Sequence, residues 1–105
     1  MQNLSLQKII DFSAAELLQG DGNLEIEEIV IDSREVKNNY LFIAIIGENN
    51  DGHQYLEAAV KNGAAAVIVD RNIKSDFINN SDTAVLKVDD TTKALQDIAH
   101  NYRKN

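Results

Sequence analysis

Tyr40-Leu41-Phe42-Ile43-Ala44-Ile45-Ile46, followed after a polar stretch by Ala65-Ala66-Val67-Ile68-Val69, decides the fold. Both runs are continuously apolar rather than alternating, the pattern of strands covered on both faces, as in the middle of an α/β sheet. Between them Tyr55, Leu56, Ala59 and Val60 recur at helical spacing, and Gly63 stands where a helix commonly ends on a left-handed residue. Strand, helix and strand in this order predict a βαβ unit with parallel strands.

The same reading extends in both directions. Ala84 to Val88 is a third buried strand, and Asp89 or Asp90 can cap a final helix whose stripe is Ala94, Leu95, Ile98, Ala99 and Tyr102. The stretch from Asp70 to Thr83 is polar apart from Ile73, Phe77 and Ile78, which predicts a loop with one short helical turn anchored by those three. Upstream, Leu24, Ile26, Ile29 and Ile31 interleave with acids, and the break at Glu27-Glu28 suits a bulge. Ser5 can cap a helix through Phe12. Ala15 to Leu18 begins a strand, and Gly20-Asp21-Gly22-Asn23 reads as the turn of a hairpin. The expected fold class is α/β: one small three-layer Rossmann-like domain over residues 1–105, with a mixed, mainly parallel sheet flanked by helices, plus an N-terminal helix and hairpin.

Composition limits what such a domain can do. Ten Lys and Arg face seventeen Asp and Glu, a net charge of -7, so broad nucleic-acid binding is not expected and an anionic ligand must be held locally. The chain has no cysteine, which removes disulfides, thiolate catalysis and sulfur-ligated metal. It has no proline either, so its turns rest on Gly, Asn, Asp and Ser. Neither a signal-peptide run nor a membrane-span-length run is present, and the expectation is a cytoplasmic protein without a membrane partner.

Two polar clusters flank the strand at Tyr40 to Ile46: Asp32-Ser33-Arg34 before it, and Gly47-Glu48-Asn49-Asn50-Asp51-Gly52-His53 after it. Ser33 offers a small donor and acceptor, and Arg34 a planar fork suited to phosphate. Gly47 and Gly52 let backbone approach a ligand, and His53 at a helix start could donate to one. The alternative is structural: Asp32 caps a turn while Arg34 pairs with Glu35 or Glu48, and Asp51 caps a helix with His53 in its first turn. The residues alone leave these readings level. Other chemistry finds little support. There is no P-loop, Gly20-Asp21-Gly22 is followed by Glu25 rather than a third glycine, and His53 and His100 form no metal pair. His100 reads as a solvated residue of the last helix. A Ser33–His53 nucleophile pair lacks an evident oxyanion hole.

In order, Asp32-Ser33-Arg34, Leu41-Phe42-Ile43-Ala44, Gly47-Glu48, Asp51-Gly52-His53, Ala58-Ala59 and Gly63-Ala64-Ala65-Ala66-Val67 resemble the N-terminal domain of the Mur ligases, the ATP-dependent amino-acid-adding enzymes of bacterial cell-wall synthesis. Gly47-Glu48 before Asp51-Gly52-His53, and the ending Lys93 to Ala99 with Tyr102-Arg103, look most like the branch adding D-alanyl-D-alanine (MurF). The branch adding the third peptide residue (MurE) ranks second. The resemblance implies a domain that holds the UDP part of UDP-N-acetylmuramoyl-peptide. Ser33 and Arg34, with Asp32 beside them, would lie against the uridine and diphosphate, and Ala44 to Gly47 together with Asp51, Gly52 and His53 would form the facing wall. It implies no catalytic or metal-binding residue here, ATP and Mg²⁺ only in the full-length ligase, central and C-terminal domains missing from this chain, and no ligase activity for the domain alone. A stand-alone nucleotide- or protein-binding module is the alternative class. Asn38-Asn39 stands where the family usually has Pro-Gly, and Asn50 where it usually has an aromatic residue.

Overall fold

The computed structural model describes residues 3–103, with Tyr102 and Arg103 described through their backbone alone. Its elements in chain order are β1 (Leu4–Ser5), α1 (Leu6–Ser13), β2 (Glu16–Gln19), β3 (Glu25–Ile26), β4 (Glu28–Val30), β5 (Tyr40–Ile43), α2 (Leu56–Lys61), β6 (Ala66–Val69), α3 (Asp76–Asn79), β7 (Ala84–Lys87) and α4 (Thr91–Arg103). Single-turn 3-10 helices at Ser33–Glu35 and Gly52–Tyr55 precede β5 and α2. The main sheet runs β2-β7-β6-β5-β4, and β4, β5, β6 and β7 are mutually parallel.

The continuous apolar runs fill both faces of this sheet because successive side chains of a strand point to opposite sides. Leu41, Ile43, Ala66, Ile68, Ala84 and Leu86 face α1 and α4, meeting Leu6, Ile9, Ala94 and Ile98. Phe42, Ala44, Val67, Val69 and Val85 face the other way, onto Leu56 and Ala59 of α2 and Ile78 of α3. That is the expected three-layer arrangement. The strand predicted to reach Ile46 ends at Ile43; Ala44 still donates to the Ile68 carbonyl at 3.0 Å, and beyond it Ile46 bridges Asp51 in an antiparallel turn.

Local signals close the elements as the residue types dictate. The Ser5 hydroxyl accepts from the Lys8 amide at α1, and Asp90 accepts from the amides of Thr92 and Lys93 at α4. Gly63, at φ 107°, ends α2: its amide donates to Val60 and that of Ala64 to Ala59, the paired bonds of a Schellman motif. In α4 Ala94 and Ile98 are buried and Leu95 packs against the core; the Tyr102 side chain lies outside the described residues. Of the three expected anchors of the 70–83 segment, Ile78 is buried and Ile73 partly so. Phe77 is exposed, its ring 5.6 Å from the Lys61 ammonium.

Two expectations are corrected. Gly20 to Asn23 closes no hairpin: β2 pairs antiparallel with β7, and β3 pairs with β1 in a separate two-stranded sheet. The reason is tertiary. Gly20, at φ 101°, lies so close to Ala84 that a Cβ would stand 2.6 Å from its backbone. The loop then turns back over the start of α1, where the Leu6 and Gln7 amides donate to Leu24 and Gly22. The break at Glu27-Glu28 is not a bulge within one strand but the point where the chain leaves the small sheet for the large one. Glu27 is held there by Asn39, whose carbonyl accepts from the Glu27 amide and whose side chain donates to the Glu27 carboxylate, both at 2.8 Å. Asn39 has φ 69°, a left-handed conformation that asparagine tolerates better than most residues.

Candidate functional site

Parallel strands present all their C-terminal ends on one edge of the sheet, the usual side for ligands in open α/β folds. Here β4 runs out into Asp32-Ser33-Arg34, β5 into the 44–53 segment, and β6 into Asp70-Arg71. A groove of about 840 Å³ lies between the first two. One side is Ile31, Asp32, Ser33, Arg34 and Glu35; the other is Ile45, Gly47, Asn50, Gly52 and Tyr55. Ile31 and Tyr55 are 54% and 42% exposed. Large apolar side chains left in water beside a guanidinium suit a ligand with a flat apolar part and a charged part.

Asp32 caps the first 3-10 turn, accepting from the Arg34 amide at 2.9 Å. Arg34 folds back onto the same carboxylate, Nε at 3.0 Å and Nη2 at 2.7 Å, while its side chain is 86% exposed. That guanidinium, and after it the Arg34 amide, hold the Asp32 carboxyl down from 3.8 to about 2. The partner of Arg34 is therefore Asp32, not Glu35 or Glu48. Ser33 is buried between, and its carbonyl accepts from the Asn62 side chain at 2.9 Å, tying the turn to the end of α2.

The second cluster divides. Gly47 and Gly52 reach the groove, and Gly52 is there because backbone must pass backbone: a Cβ would stand 2.7 Å from the Ile45 nitrogen. Its amide donates to the Ile45 carbonyl at 2.8 Å. Asp51 and His53 turn away from the groove. Asp51 Oδ1 accepts from the His53 amide at 2.9 Å and lies 2.6 Å from His53 Nδ1. His53 Nε2, on a side chain only 7% exposed, lies 3.1 Å from both the amide and the carboxylate of Asp70. Arg71 joins the two acids, Nη1 to Asp51 at 3.1 Å and Nε to Asp70 at 2.6 Å. Both carboxyls are held below the ordinary range, Asp51 chiefly by the His53 amide and Asp70 chiefly by Arg71.

Of the residues expected to form the site, Asp32, Ser33, Arg34, Ile45, Gly47 and Gly52 share the groove. Ala44 is fully buried under α2, and Asp51 and His53 belong to the knot behind the wall. The sequence reading missed Ile31, Glu35, Asn50 and Tyr55 in the groove, and Asp70 and Arg71 in the knot. One signal could have found the last two: parallel neighbours put the ends of β5 and β6 side by side. Among the described residues no three His, Asp or Glu side chains converge as metal ligands would. With no P-loop in the sequence, this donor set does not fit ATP or Mg²⁺. No helix among the described residues is long and apolar enough to cross a membrane.

Residues 25–103 match the family model described as "Mur ligase family, catalytic domain". The chain belongs to the Mur ligase family. It corresponds to the N-terminal domain of these peptidoglycan-precursor ligases. It is 39% identical over 92 residues to UDP-N-acetylmuramoyl-L-alanyl-D-glutamate--2,6-diaminopimelate ligase 2 of Clostridium acetobutylicum, covering 88% of this chain and 18% of that protein. It is equally 39% identical, over 94 residues, to UDP-N-acetylmuramoyl-tripeptide--D-alanyl-D-alanine ligase of Bacillus subtilis, covering 84% and 20%. MurF from Acinetobacter baumannii superposes with a TM-score of 0.85 at 27% identity over 99% of this chain and 22% of that one. The Mur ligase domain thus spans about a fifth of the length of these relatives, is MurF-like in structure, and has sequence relatives of both the diaminopimelate-adding and the D-alanyl-D-alanine-adding kinds.

Proposed function

We propose that this Mur ligase domain holds the UDP end of a UDP-N-acetylmuramoyl-peptide in the cytoplasm, as part of a ligase that adds D-alanyl-D-alanine at the expense of ATP. The supporting observation is the groove at the strand ends, where Arg34 and Ser33 face the glycine-bearing wall and Ile31 and Tyr55 remain exposed. A pyrimidine ring can lie on the apolar pair, and a diphosphate can draw the Arg34 fork away from Asp32, exchanging an exposed ion pair of small net worth for a charge-assisted grip. The chemistry that joins the amino acid belongs, in this reading, to the parts of the relatives that this chain does not match. The domain alone then has no ligase activity.

The second reading is a diaminopimelate-adding ligase, favoured by 42% identity over 88 residues to such a ligase of Caldanaerobacter subterraneus, against 39% over 94 residues to the Bacillus subtilis enzyme. Both readings put the same UDP group in the groove. A stand-alone module binding a nucleotide or protein without catalysis is the remaining class. Titrating UDP and UDP-N-acetylmuramic acid into isotope-labelled protein should shift amides at 31–35 and 45–55, with a dissociation constant no better than about high micromolar because one domain supplies only part of the contacts. Unchanged binding in Arg34→Ala and Ser33→Ala would overturn the assignment.

A further inference from the structure

We propose that Arg71, from outside the groove, is a positioning residue that holds the 46–51 turn as the groove's second wall. The inference rests on the UDP-binding reading for its effect on ligand, but its structural half stands alone. The turn has little of its own to fix it: Ile46 bridges Asp51, the Gly47 amide donates to the Asn50 carbonyl at 2.7 Å, and residues 46–50 are all exposed. No side chain of the turn is in the core. What fixes its base is Asp51, whose Oδ1 is committed to His53 and whose Oδ2 is held by Arg71.

Arg71 in turn is fixed by Asp70 on the end of β6, the central strand of the sheet, and His53 completes the link from Asp51 to the Asp70 amide. An exposed turn is thereby pinned to a buried strand by a planar fork that reaches two carboxylates at once. Lysine, a point donor, reaches only one of them well. The groove needs this because Gly47 and Asn50 face it from the turn itself, and a wall displaced by an ångström loses the geometry its hydrogen bonds require.

The test compares the unmodified chain with Arg71→Gln and Arg71→Lys. In the absence of ligand, Arg71→Gln should speed amide hydrogen exchange at Gly47 and Gly52, the two amides bonded across the turn, by tenfold or more while leaving β6 and β7 amides unchanged, and Arg71→Lys should lie between. UDP affinity should fall about fivefold in Arg71→Gln and recover in part in Arg71→Lys, with thermal midpoints within a few degrees of each other. Exchange at the turn unchanged in Arg71→Gln would overturn the inference whether or not UDP binds. So would loosening spread evenly over the sheet, which marks a general loss of stability. The exchange effect in Arg71→Gln, together with no UDP binding by the unmodified chain, would retain the pinned turn and overturn the UDP reading instead. Asp70→Asn, which removes the charge holding Arg71 in place, should reproduce the exchange pattern of Arg71→Gln.

Discussion

Asp32-Ser33-Arg34 and Asp51-Gly52-His53 are the same local structure at two places. In each an extended aspartate, at φ -115° and ψ 119° or φ -113° and ψ 116°, caps a 3-10 turn by accepting from the amide two residues on. In each the side chain of that third residue folds back onto the same carboxylate. Their surroundings separate them. The first follows β4, the edge strand, and its arginine stays in water; the second follows β5, whose neighbour β6 brings Asp70 and Arg71 alongside and draws the histidine inward. A capping motif sets backbone direction, and the neighbouring strand decides whether the charged tip faces solvent or the protein.

The largest test of that difference is to exchange the middle residues. Gly52→Ser gives the second turn the first one's residue, and the added Cβ meets the Ile45 backbone, which cannot move without shifting β5. We expect a loss of about 3 kcal/mol in denaturant unfolding, the upper range for overpacking a rigid site. Next in size, Asp51→Ala removes a cap and both links to Arg71 and His53, and should cost about 2 kcal/mol, the high end for an N-cap. Asp32→Ala, losing only a cap and an exposed pair, should cost measurably less. Equal losses at the two positions would break the contrast.

Acid gives a smaller effect with a definite sign. Asp32, Asp51 and Asp70 are all held below 3.8 in the folded state, Asp32 at about 2. A depressed carboxyl contributes stability that is present above its unfolded value and lost as the pH falls through its folded one. Stability should therefore decline from about pH 4 toward pH 2, and replacing Asp32, Asp51 and Asp70 together by Asn should flatten that decline. Carboxyl titrations followed by NMR check the shifts, and Arg34→Ala should return Asp32 toward the ordinary value.

The parts of this fold that were legible in the sequence are those whose cause is local or repeated. Tyr40 to Ile43, Ala66 to Val69 and Ala84 to Lys87 are apolar at every position or nearly so, and only a two-sided sheet accommodates that. The caps at Ser5, Asp32, Asp51 and Asp90 each act over two or three residues. What was illegible depends on who arrives next to whom. Gly20 to Asn23 carries the local chemistry of a hairpin, yet the strand before it is claimed by β7 and the strand after it by β1. His53 carries the chemistry of a ligand-facing residue, yet its Nε2 meets Asp70 at the end of a different strand. The apolar floor of the groove was passed over because Ile31 and Tyr55 read as members of buried patterns, while the fold leaves both in water.

The pairing of β2 with β7 has a consequence for how the chain comes together as it is made. The strand is fixed by its ladder to Ala84–Lys87 and by Gln19, whose side-chain amide donates to the carbonyls of Ile78, Ser81 and Thr83 at 3.0, 3.3 and 2.8 Å, partners 59 to 64 residues later. On a ribosome that releases the N-terminus first, β1 and β3 can close around α1 early, but Leu17 and Leu18 wait with an unpaired edge until β7 has emerged. The first strand of the main sheet to be synthesised is therefore among the last to be secured, and its exposed leucines are where a nascent chain stalled before residue 84 would offer itself to a chaperone.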